Sequence, residues 1–142
     1  MQIFLKFVPT IKTMTTEQKK AMLLLKSVIF HYHGLDNDEK QILEDYATSI
    51  DASEELVWAN DFVQKDYYTA FERARTYLAE IVAPFDKETK LSYLKTVWDT
   101  NSSKGSVSEI EATAMLKLAK DWHIQTELIM FVRSKHVASI TN

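Results

Sequence analysis

Only four residues in this 142-residue chain break helices strongly: Pro9, Gly34, Pro84 and Gly105. Few runs of β-branched residues alternate between them, so the backbone is free to stay helical. Helix starts are marked by a capping residue, often followed three positions later by Glu or Gln. Thr15 with Gln18 predicts a helix to about His33, Asp36 with Glu39 a second to about Ser49, and Asp51 with Glu54 a third through Trp58 to about Gln64. A fourth is expected from near Asp66 to just before Pro84, with Tyr67, Phe71, Ala74, Leu78 and Ile81 as its buried stripe. Asp86 opens a fifth carrying Leu91, Leu94, Val97 and Trp98. Ser108 with Glu111 opens a sixth, and Thr126 caps a seventh to about His136. Residues 137–142 read as a frayed tail, while residues 1–13 are open between strand, helix and packed coil. Short connections make successive helices pack on near neighbours. The expected fold is all-α: one domain over residues 1–142, a compact bundle of about seven helices.

Part of the chain echoes itself. Leu25-Lys26-Ser27-Val28 recurs as Leu94-Lys95-Thr96-Val97, and each tetrapeptide is followed by a turn holding one of the two glycines. Each glycine is followed by a capped helix of one pattern. Glu39, Ile42, Leu43, Tyr46, Ala47 and Ile50 in the first copy match Glu111, Ala114, Met115, Leu118, Ala119 and Trp122 in the second. These offsets mark one helix face. The small Ala47 and Ala119 allow a neighbouring helix close, and a glutamate in the first turn suits the helix dipole. Two such helix–turn–helix units can pack as a pseudo-symmetric pair.

These residues resemble the TerB-like (tellurite-resistance) domains, which are all-helical and built on a duplicated helix–turn–helix. The family hallmark is a small-residue-rich helix ending in Asp-Gly, then a hydrophobic residue, a cap and a glutamate. Lys104-Gly105-Ser106-Val107-Ser108-Glu109-Ile110-Glu111 looks like it, as does His33-Gly34-Leu35-Asp36-Asn37-Asp38-Glu39, one residue shorter. Lys104 and His33 stand where the family usually has Asp. The likeness covers roughly residues 16–135. It implies a non-catalytic interaction or stress-response module linked to tellurite resistance. Some family members hold a divalent metal on acidic residues, so metal or small-ligand binding is the alternative.

Two turns carry candidate metal ligands. Asp99, Asn101, Ser103 and Glu111 alternate as oxygen donors around Gly105, but counting from Asp99 the register is one residue too long for a calcium loop. His33, Asp36 and Glu39 offer imidazole and carboxylate in the first turn, beside His31 and Asp38. His31 and His33 lie two apart, so one helix points them to different sides. The competing reading of both turns is a polar loop with a helix cap and no resident cofactor beyond a weakly held cation.

Composition narrows the rest. The absence of cysteine excludes disulfides, thiolate metal sites and thiol catalysis. A net charge of −3 argues against nucleic acid as the main partner. No stretch approaches a membrane span, and the apolar Met1–Val8 lacks the features of a signal peptide, so cytoplasmic residence is expected. No nucleophile elbow, phosphate loop or His-Glu-x-x-His helix suggests an enzyme. Tyr67 and Tyr68 are adjacent, so at least one must face outward. Together with Trp58 and Phe62 they form the expected interaction surface, for a protein partner or self-association.

Overall fold

The computed structural model describes residues 14–31, 36–102 and 107–141, with side chains to Lys135. The turns holding Gly34 and Gly105, with His33 and Ser103, and residues 1–13 lie outside the described residues. The described residues form seven helices and no strand: α1 (Thr16–His31), α2 (Asn37–Ser49), α3 (Ser53–Gln64), α4 (Ala70–Val82), α5 (Lys87–Ser102), α6 (Glu109–Asp121) and α7 (Gln125–Thr141). Among them, no helix is long and apolar enough to cross a membrane.

The bundle is organised around α1. Every residue from Ala21 to Phe30 is buried, on all sides of the helix. Such a helix needs neighbours all round, and α3 and α4 supply the closest, with α2, α5 and α6 completing the enclosure. Leu43, Ala47, Leu56, Ala59, Leu78, Leu94, Met115 and Leu118 belong to the same continuous core. Trp122 is fully buried in it, whereas Trp58 and Trp98 pack partly exposed against it.

Three helices begin with reciprocal capping boxes, as their sequences imply. Thr15 Oγ1 accepts from Gln18 N at 3.1 Å, while Gln18 Oε1 accepts from Thr15 N at 2.8 Å. Asp36 pairs with Glu39 (2.8 and 3.2 Å) and Ser108 with Glu111 (3.1 and 2.9 Å) in the same way. Each box satisfies donors that a helix start leaves open. Asp86 caps α5 by accepting from Thr89 N at 2.8 Å, and this bond holds its carboxyl below the ordinary range.

Other boundaries differ from expectation. Asp51 does not cap α3; it lies at φ 53° and the helix follows Ala52, with no side-chain cap. The reason is the end of α2, a Schellman motif in which Asp51 N donates to Thr48 O and Ala52 N to Ala47 O. The fourth helix starts at Ala70 rather than near Asp66, because the Asp66 carboxylate accepts from Tyr68 N at 3.0 Å and makes a turn there. Tyr67 therefore leaves the expected stripe and is exposed, while Phe71, Ala74 and Leu78 are buried. Thr126 falls in the first turn of α7 rather than at its cap. The expected tail is helical to Thr141, since no breaker interrupts it.

The echo in the sequence extends to local backbone structure. Helices α2 and α6 are both 13 residues long and both open with a capping box. The second also ends in a Schellman motif: His123, at φ 62°, donates to Lys120 O, and Ile124 N donates to Ala119 O. Ala47 and Ala119 are both buried, as are Ala52 and Ile124 one turn beyond.

Candidate functional site

The acidic turns come first, because sequence placed most candidate ligands there. Glu39 and Glu111 are buried and each closes its capping box. The second oxygen of Glu111 accepts from Asn101 Nδ2 at 3.0 Å, joining α5 to the start of α6. Asp36 serves as the cap of α2. Asp99 is exposed and pairs with Lys135 at 3.4 Å. His33 and Ser103 lie outside the described residues. Among the described residues, no three His, Asp or Glu side chains converge in an arrangement that could hold a metal. The chemistry visible at Glu39 and Glu111 is the fastening of two helix starts.

Inside this region lies a buried amine. Lys26 on α1 has no solvent exposure; its Nζ donates to Thr100 Oγ1 and lies 4.2 Å from the Tyr46 ring centre. Thr100 passes its own proton to Thr96 O at 2.7 Å. Burial lowers the Lys26 pKa to about 8, against an opposing pull from the Asp99 charge. Burial also pushes Tyr46 up to about 12.

The second region is aromatic. Trp58 and Phe62 on α3 and Tyr77 on α4 form a tilted triad with ring centres 5.3 to 6.1 Å apart. Lys20 Nζ sits 5.1 Å from the Trp58 ring centre and the Arg73 guanidinium 4.8 Å from that of Phe62. Tyr77 donates its hydroxyl proton to Glu17 Oε2 at 2.9 Å. Its pKa is pushed up to about 12, first by burial and then by Glu17.

The turn after α3 presents the two remaining tyrosines. Tyr67 is 58% exposed and Tyr68 fully so. Arg73 fixes this turn from within α4: Nη1 donates to Phe62 O at 3.0 Å, Nη2 to Asp66 O at 2.9 Å and Nε to Thr69 Oγ1 at 2.9 Å. Arg73 is not among the residues singled out from sequence. Its spacing of four from Thr69 and seven from Asp66 was the available signal.

Beside the tyrosines opens a cleft of about 390 Å³, floored by Val28, Val63, Ala70 and Phe71 and edged by His31 and Glu72. That volume lies within the ordinary range for small-ligand sites. The His31 ring is 5.8 Å from that of Tyr67, and its Nε2 is buried without a hydrogen-bond partner. Burial lowers the His31 pKa, opposed by a side-chain hydrogen bond with Asn60 and by the Glu39 charge, while Lys40 adds to the lowering. The imidazole is therefore neutral at neutral pH. Of the residues proposed as an interaction surface, Tyr67 and Tyr68 line this cleft. Trp58 and Phe62 belong to the neighbouring triad. His31, assigned by sequence to the acidic turn, instead belongs to the cleft. Its position three residues after Val28 puts both on one face of α1.

Comparison with protein-family models, with curated proteins and with solved structures found no match.

Proposed function

We propose that this chain is a TerB-like helical domain that acts as a non-catalytic interaction module in a stress response, working through the face of Trp58, Phe62, Tyr67 and Tyr68. The observation that carries this reading is the pair of exposed tyrosines on a turn clamped by Arg73. Exposed aromatics on a fixed backbone are inexpensive to bury, since little conformational freedom is left to lose on binding. Tyrosine also suits such a role because it brings large contact area with few rotatable bonds. The matching ends of α2 and α6 support a duplicated helix–turn–helix of the TerB-like kind.

The test is genetic. A strain lacking the gene should lose survival on tellurite, and the wild-type gene should restore it. The double substitution Tyr67→Ser, Tyr68→Ser removes a fully exposed ring and one that packs on His31 at the surface, both outside the core, so the protein should fold normally yet fail to restore survival. Unchanged survival of the deletion strain would remove the stress role. Full rescue by the double variant would remove the aromatic face.

A further inference from the structure

We infer that the apolar cleft between α5, α6 and α7 is a binding site for a small carboxylate with an unbranched alkyl tail. It shares no residue with the aromatic face of Trp58, Phe62, Tyr67 and Tyr68.

The cleft follows from side-chain size and helix spacing. Ala112 and Leu116 stand one turn apart on α6, and Leu128 and Val132 do the same on α7, with Ile129 beside them. Trp98 of α5 closes the third side. Ala112 is the smallest side chain on these walls, and the space left between the three helices is about 220 Å³. An apolar cavity of about 150 Å³ already accepts benzene, so this one has room for an alkyl chain of about six to eight carbons. A partner helix would need several anchors along its length, and the cleft takes a single tail. Leu128 is buried, while Trp98, Leu116 and Val132 are only partly covered by the fold. A tail seated there removes their remaining apolar surface from water.

A charge at the rim selects the head group. Of the three arginines in the chain, Arg73 and Arg75 commit their donors to the fold, Arg73 to Phe62 O, Asp66 O and Thr69 and Arg75 to Glu72 and Asp121. Arg133 lines the cleft, is exposed, and makes no hydrogen bond or ion pair among the described residues. Its guanidinium offers paired N–H donors that match the two oxygens of a carboxylate. The surrounding charges keep this sign. Lys95 and Lys135 lie 5.3 and 5.5 Å from the Phe131 ring centre on α7, and Asp99 is paired with Lys135 at 3.4 Å. Glu109, one turn before Ala112, is exposed, lies outside the cleft lining and forms no ion pair with Arg133.

Titration of the intact protein with octanoate, followed by NMR, tests the site. Octylammonium and 1-octanol serve as matched cationic and neutral molecules. Octanoate should saturably shift the Trp98 indole and the Leu116 and Val132 methyl resonances, and should bind at least about fivefold more tightly than either control. Affinity should rise about fourfold per CH₂ from butanoate to hexanoate. Arg133→Gln, at an exposed position, should bring octanoate down to the affinity of 1-octanol and leave 1-octanol itself unchanged. Ala112→Leu fills the cleft and should abolish binding of both. Should that variant fail to fold, Arg133→Gln and the chain-length series decide the matter. No saturation with octanoate, equal binding of octylammonium, or unchanged octanoate affinity in Arg133→Gln overturns the proposal. A dimer in light scattering whose formation alone shifts the same methyl resonances assigns the cleft to a second copy of the chain and overturns it as well.

Discussion

Lys26 sets a pH dependence that can be worked through. Its ammonium is buried on α1, with a folded pKa of about 8 against an ordinary value of 10.5. A folded pKa below the unfolded one means that the unfolded chain binds more protons between the two values. Stability therefore rises with pH across that window. The gap corresponds to about 3 kcal/mol of stability withheld at neutral pH, of which about 2 kcal/mol returns between about pH 7 and about pH 9.5. Tyr46 and Tyr77, both near 12, act in the opposite sense, losing stabilisation only above the ordinary tyrosine value of 10. Urea unfolding followed by tryptophan fluorescence should show the midpoint climbing over that range. Lys26→Met should flatten the profile and raise stability at neutral pH, as replacing a buried charge with a packed apolar chain commonly does. A wild-type midpoint that stays constant, or a Lys26→Met protein that keeps the slope, refutes the reasoning.

Three further outcomes are expected. Glu111→Ala strands the buried Asn101 amide and the Ser108 N–H, and should lower stability by about 2–3 kcal/mol in denaturant unfolding. His123→Gly relieves a left-handed residue at the end of α6 and should raise stability by about 0.5–1 kcal/mol, whereas His123→Val should lower it. Calcium, magnesium or zinc at millimolar concentration should leave the melting temperature where EDTA leaves it, because Glu39 and Glu111 are already engaged in caps.

What the sequence disclosed follows from how local each cause is. The capping boxes at Thr15, Asp36 and Ser108 involve residues three apart, so one strand of text contains the whole interaction. Asp51 misled because the same residue type suits two places, a helix start and a left-handed helix end. Only the preceding helix decides between them. Tyr67 leaves its stripe for a similar reason: the Asp66 carboxylate, near the expected start of that helix, makes a turn instead. The cleft was legible only in its tyrosines. His31 and Glu72 are 41 positions apart, and no periodicity links a residue on α1 to one on α4. Lys26 gave no warning either, since a lysine within Leu25-Lys26-Ser27-Val28 reads as a solvated interruption until helices close over it.

The enclosure of α1 has a consequence for how the protein is made. The ribosome releases this segment ahead of every described helix that covers it. At about 5–20 residues per second, the roughly 110 residues after His31 take on the order of 5–20 seconds to appear. Until the last of those helices is made, Ala21–Phe30 lacks its full cover. Slowed translation downstream should therefore show up as aggregation of the newborn protein rather than as damage to the finished one.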